Sequence, residues 1–102
     1  MAWLYSEEEF GIYELINLDF VREITVDSDD IGAFIKVIYN DLSIKEIQKT
    51  EDLEGETTCV LNRIIDYIRV GIVNNWEVIE ISDDLFPAML DEIQQETKNI
   101  DV

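Results

Sequence analysis

Carboxylates are the one reactive group that this chain carries in quantity: 24 Asp and Glu stand against 7 Lys and Arg, with a single cysteine and no histidine. In such number they can pair as general acid and base, bind hard cations, or present charge to a cationic partner. The missing histidine removes Ser-His-Asp and Cys-His catalysis together with the commonest transition-metal ligand. Cys59 alone cannot complete a zinc site or an internal disulfide, and its place beside an apolar helical stripe predicts a buried, inert thiol. Neither GxGxxG nor GxxxxGK[ST] occurs, so a conventional phosphate-cradling loop is absent and no cofactor is expected.

The densest acidic run, Asp27-Ser28-Asp29-Asp30-Ile31-Gly32, supplies the first, third and sixth positions of a calcium loop. It fails at the fifth, Ile31, and at the twelfth, Ile38, where oxygen ligands are needed. The run therefore reads as a solvated turn, and no metal is expected. Asp83 and Asp84 precede a helical pattern and read as an N-terminal cap. A two-carboxylate hydrolase needs one acid in a dry pocket and a partner at a set distance, and a domain this small offers little cleft to hold them. The chain is read as a binding protein, not an enzyme.

The elements that must position these groups follow from periodicity. Val60, Leu61, Ile64, Ile65, Ile68 and Ile72 recur at one-helix-face spacing, which predicts a central helix from about Thr57 to Asn75. Thr57 or Thr58 is the expected N-cap, and Asn74 or Asn75 the left-handed residue that ends it. Gly71 and many β-branched residues give this stretch poor helix propensity, so burial against a sheet must hold it.

Before the helix, apolar segments alternate with turns. Trp3 to Tyr5 and Ile12 to Leu18 read as a first hairpin, with Glu7, Glu8, Glu9 and Gly11 in the turn. Phe20 to Val26, Ala33 to Tyr39 and Leu42 to Gln48 continue an antiparallel meander, with Asn40-Asp41 as a two-residue connection. Ala33 to Tyr39 is apolar on both sides, so its second face needs a cover, from the C-terminal segments or from another copy of the chain. After the helix, Trp76 to Ile81 is either a fifth strand or an irregular crossing. A short helix over 85–98, with Pro87 in its first turn, would bury Phe86, Met89, Leu90 and Ile93, and Asn99 to Val102 is expected to fray. The predicted fold is α+β: a meander of three to five strands on a central amphipathic helix, with a short C-terminal helix, forming one domain over 1–102. At 102 residues, 47% of them apolar and ten aromatic, the chain can fill one modest core.

The charge then carries the functional reading. The net value is −17, placed as −11 over residues 1–58, +1 over 59–75 and −7 over 76–102. A field of this sign argues against direct contact with nucleic acid or an anionic membrane and favours a basic protein partner, one that itself binds nucleic acid. No apolar run approaches a membrane span and the N-terminus lacks a signal-peptide pattern, so a cytoplasmic protein is expected. The carboxylates expected to meet the partner lie in loops and at element ends: Glu7, Glu8 and Glu9; Asp27, Asp29 and Asp30; Glu51, Asp52, Glu54 and Glu56; with Asp83 and Asp84 as a weaker set. In size, charge and α+β build, though in no motif, the chain resembles the small acidic inhibitors that phages use against restriction and CRISPR enzymes. That resemblance implies mimicry of the phosphate rows of a duplex. The alternatives are an adaptor or immunity-type inhibitor that meets a basic protein without such mimicry, and a homodimer built through an apolar sheet face, its acidity serving solubility.

Overall fold

The apolar stripe forms a helix, α1, over Gly55–Val73. Val60, Leu61, Ile64, Ile65 and Ile68 lie along its buried face, as their spacing predicts. Its start differs from expectation. The helix begins at Gly55 with Glu54 as its N-cap, so Thr57 lies inside the first turn and does not cap it; Asp52 upstream holds this start, its Oδ1 accepting the Glu54 N–H at 2.9 Å and its Oδ2 the Thr57 hydroxyl at 2.7 Å. Cys59 is exposed rather than buried, one position off the stripe. Ile72 also departs from the stripe and is half exposed, because Gly71 takes the inward position at that turn.

The end of α1 is a Schellman motif. Asn75 is left-handed (φ 59°), the Trp76 N–H reaches the Gly71 carbonyl at 2.9 Å, and the Asn75 N–H reaches that of Ile72 at 3.2 Å. This closure folds the Trp76 ring back toward the helix, edge-on to Tyr67 at 5.6 Å.

A computed structural model describes residues 2–8, 11 and 13–100 of the chain. Its strands form two three-stranded sheets. β3 (Val21–Ser28), β4 (Ala33–Tyr39) and β5 (Ile44–Ile47) make the antiparallel meander. β1 (Trp3–Glu7) and β2 (Tyr13–Asn17) form the first hairpin, but a 3-10 turn at Leu18–Phe20 separates it from the meander. It is completed instead by β6 (Val78–Ile81), which pairs parallel to β1 with Leu4 opposite Ile79. The segment after α1 is thus a strand. The Ile12 start predicted for the second strand lies outside the described residues.

The connection from β4 to β5 is longer than the two residues predicted. Leu42, not Asn40 or Asp41, takes the positive φ (72°), and the Asp41 carboxylate is occupied by the Ser43 N–H at 2.9 Å and hydroxyl at 2.6 Å. The C-terminal helix, α2, spans Leu85–Ile100 with Pro87 in its first turn, so it runs past the expected end; residues 101 and 102 lie outside the described residues. Ile93 is buried, and Leu85, Phe86, Met89 and Leu90 pack partly buried against the core.

Helix α1 touches both sheets, meeting β3 and β4 on one side and β6 on the other, and α2 lies along it. The inner faces contribute Leu4, Ile16, Ile79 and Ile81 from one sheet and Ile35, Val37 and Ile47 from the other. Polar pairs tie the sheets where they meet: Lys45 of β5 reaches Glu14 of β2 at 2.8 Å. The outer face of the meander is mixed. Cross-strand register places Glu23, Ile38 and Ile44 in one row and Thr25, Lys36 and Glu46 in the next. Phe34 on this face is buried, beside the Lys49–Glu51 segment.

Gly71 sets the distance between helix and sheet. A Cβ there would stand 2.6 Å from Ile79 Cγ1 and 2.7 Å from Trp76 Cε3. Ile79 is fully buried and cannot retreat. Gly71→Ala is therefore expected to lower stability by about 1–2 kcal/mol in urea unfolding, although alanine is the better helix former by roughly 1 kcal/mol. Adding Ile79→Val, which removes the Cδ1 that would stand 2.7 Å from the new Cβ, should restore part of the loss; a net gain for Gly71→Ala alone would show that the close approach is not what selects glycine.

Candidate protein-binding site

Among the described residues the predicted carboxylates lie in loops and at element ends, and the segments around Glu7, Asp29, Glu51 and Asp83 come together at one end of the fold. The first pair of loops is locked by backbone contact. Asp29 accepts the N–H groups of Ile31 at 2.9 Å and Gly32 at 3.1 Å, which forms the turn between β3 and β4. Gly32 then lies so close to the next loop that a Cβ would stand 1.9 Å from the Thr50 carbonyl oxygen. Ala33 N–H donates to the Asp52 carbonyl at 3.0 Å and Thr50 N–H to that of Ala33 at 2.9 Å. The 29–33 turn is in this way bolted to the segment that starts α1.

The second junction is a buried polar knot. Gln48, left-handed at φ 52°, donates its side-chain amide to Ser6 Oγ at 2.8 Å and to the Glu7 carbonyl at 3.0 Å. Its backbone N–H goes to Glu8 Oε1 at 2.9 Å. Ser6 is fully buried, and no buried side-chain polar atom among the described residues is left unsatisfied. Each group in the knot therefore holds another in place.

Two shallow clefts open on either side of Lys49–Glu51. One, of about 480 Å³, is lined by Asp29, Phe34, Lys49 and Glu51 among others. The other, of about 310 Å³, is lined by Glu7, Glu8, Lys49, Glu51, Asp83 and Phe86 among others. Both helices begin at this end. Asp52, Glu54 and Glu56 lie at the start of α1, and Asp83 and Asp84 precede α2, where helix dipoles favour negative charge.

The predicted residues fall into two groups. Glu8, Asp27, Asp29 and Asp52 are engaged within the fold. Asp27 accepts the Ser28 N–H and pairs with Lys36 at 3.2 Å, contacts that lower its pKa. Asp29 is lowered by its two turn amides, and Asp52 by the Thr57 hydroxyl and then the Glu54 N–H. Glu7, Asp30, Glu51, Glu54, Asp83 and Asp84 form no ion pair among the described residues and face solvent wholly or in part. Glu56 accepts the Gln94 amide at 3.4 Å. Glu9 lies outside the described residues. The arginines of α1 offset carboxylates, as Arg63 meets Glu92 and Glu96 while Arg69 meets Asp66.

Sequence reasoning missed Gln48, Thr50 and Lys49, which join these loops and line their clefts. The only local signal was a polar stretch after a strand, whereas their roles depend on partners up to 42 residues away.

The two groups should respond differently to substitution. Glu8→Ala leaves the buried Gln48 N–H without its acceptor and is expected to cost about 1–3 kcal/mol; Glu51→Ala should stay within about 0.5 kcal/mol of the parent. For Asp29 the sign with pH is fixed by its lowered pKa. Its stabilisation is fully present above the ordinary value of 3.8 and is lost as pH falls through the folded value. The gap between parent and Asp29→Ala in urea unfolding should therefore be widest near neutrality and close on acidification. A gap independent of pH would remove the carboxylate from the turn's energetics.

No protein family, curated protein or solved structure matches the chain at a significant level. What the molecule does must be argued from the surface just described.

Proposed function

We propose that this chain is a binding protein that inhibits a basic, nucleic-acid-binding partner by placing carboxylates where the partner accepts phosphates. The observation that carries the reading is charge per length. A net −17 on a molecule whose longest dimension is 47 Å is one charge per about 2.8 Å. A duplex carries about one per 1.7 Å of axis. The protein thus offers more than half the linear charge density of DNA on a fixed scaffold. The carboxylates Glu7, Glu51 and Asp83 border one cleft and Glu51 lines the next, so lysine or arginine side chains entering either would meet opposite charge, with Lys49, paired to Glu46 at 3.3 Å, the like charge in both linings. The partner's groove is drawn in by the long-range field, and its identity is set by whatever non-charged contacts the surface adds.

Self-association through a sheet face predicts the opposite response to salt. Bringing together two chains of −17 each is opposed by repulsion, so added salt would strengthen a homodimer while it weakens a complex with a basic partner. The test is retention of cell extract on the immobilised protein at low salt, elution as salt is raised from about 50 to 200 mM, and competition by duplex DNA. A basic nucleic-acid-binding protein that elutes in this range and is displaced by DNA is the expected result, with retention weakened by Glu51→Gln combined with Asp83→Asn. A partner indifferent to both salt and DNA would overturn mimicry, and sedimentation showing dimers that tighten with salt would favour the homodimer.

A further inference from the structure

The face of sheet β2-β1-β6 turned away from α1 carries an aromatic patch set among carboxylates. Cross-strand register puts Tyr13 beside Glu7, and Tyr5 between Leu15 and Glu80. The Tyr5 and Tyr13 rings stack at 5.0 Å with 29° between their planes. Tyr13 and Leu15 are each more than half exposed, and Trp3 is half-buried in the adjoining row. A core-forming sheet needs only its inner face apolar; here Leu4, Ile16, Ile79 and Ile81 serve that purpose, so the outer aromatics are not needed to fill the core.

We propose that this face anchors the basic partner by taking its arginine side chains. The inference rests on the reading of the chain as an acidic binder and names where and how it grips. A guanidinium lies flat on an aromatic ring and donates from its edge to carboxylates, and here both receptors stand side by side, the Tyr5–Tyr13 stack with Glu7 and Glu80. A lysine ammonium is more strongly hydrated and gains less from the ring, so the face selects arginine. A second copy of the chain is the wrong occupant, because it would set Glu7 and Glu80 against the same charges on its twin. Exposed tyrosine and tryptophan supply contact area at low entropic cost, as residues that dominate protein interfaces do.

The test is a titration of the full isotope-labelled chain with an oligoarginine and an oligolysine peptide of equal length, followed by NMR at low salt. The expected result is that shifts centre on Tyr5, Tyr13 and Leu15, and that oligoarginine binds about two- to fivefold more tightly than oligolysine. Tyr13→Leu, which removes an exposed ring and leaves the inner face intact, should abolish that preference, while Glu80→Gln weakens both peptides alike. Unchanged core resonances from α1 verify that each variant is folded. Shifts confined to the clefts around Glu51 and Asp83, with no preference for arginine, would overturn the anchoring face while leaving the acidic-binder reading intact. Failure of both peptides to bind would overturn both. Concentration-dependent shifts on the same face without peptide would assign it to self-association instead.

Discussion

Burial of one face of α1 is the interaction on which the rest of this structure depends. The two sheets share few strand contacts of their own, and the helix meets both, through β3 and β4 on one side and β6 on the other. Its inner residues, Val60, Leu61, Ile64 and Ile68, are essentially inaccessible to water. Each contributes about 1.5–3 kcal/mol by leaving solvent. That contribution has to offset both a poor intrinsic helix propensity and the self-repulsion of a net −17. The helix itself carries little acid: beyond Glu56 in its first turn, α1 has one carboxylate, Asp66, against two arginines.

The acid is displaced to places where the fold tolerates it. Helix N-termini are such places, because their unpaired amides and dipoles favour negative charge. The topology brings the starts of α1 and α2 to the same end as the β3–β4 turn and the end of β1, so four loops share one acidic region. Part of that acid is structural. Asp29 builds a turn, Asp52 opens α1, and Glu8 closes the knot with Gln48 and Ser6. A carboxylate that already accepts two donors from its own chain has less capacity left for a partner's cation. The residues left to act outward are those such as Glu7, Glu51 and Asp83, which line the clefts without ion pairs among the described residues.

Much of this architecture was legible in the sequence, and the limits have physical causes. The stripe of α1, the doubly apolar β4 and the amphipathic α2 are local patterns, fixed by periods of 3.6 and 2, and each appears where the pattern places it. Pairing between distant segments leaves no such trace. Nothing in Trp3–Glu7 or Val78–Ile81 announces that they lie side by side and parallel, and that pairing divides the strands into two sheets. A threonine before an apolar run reads as a cap, but the helix starts two residues earlier than Thr57, and the Thr57 hydroxyl donates to Asp52, five residues upstream. Cys59 looked buried because it adjoins the stripe, yet one step along a helix is a rotation of about 100°, enough to face solvent. At the candidate site, the acidic residues were legible as a set, but not their division into engaged and free, which only the hydrogen bonds reveal.

The same division shapes how binding strength and selectivity would be built. Long-range attraction from dispersed carboxylates acts on any basic surface, so by itself it discriminates poorly among nucleic-acid-binding proteins. Discrimination needs contacts that are short-ranged and weakly screened, and among the exposed surfaces described the stacked Tyr5–Tyr13 pair beside Glu7 and Glu80 offers them. Charge would then govern the rate of encounter, and the aromatic face the lifetime of the complex. The two surfaces are not independent, because Glu7 belongs to both: it borders the cleft with Glu51 and Asp83, and it stands next to Tyr13 on the outer face. A partner held at Glu7 could reach cleft and sheet together, so that the free carboxylates and the aromatic stack would act as one continuous surface.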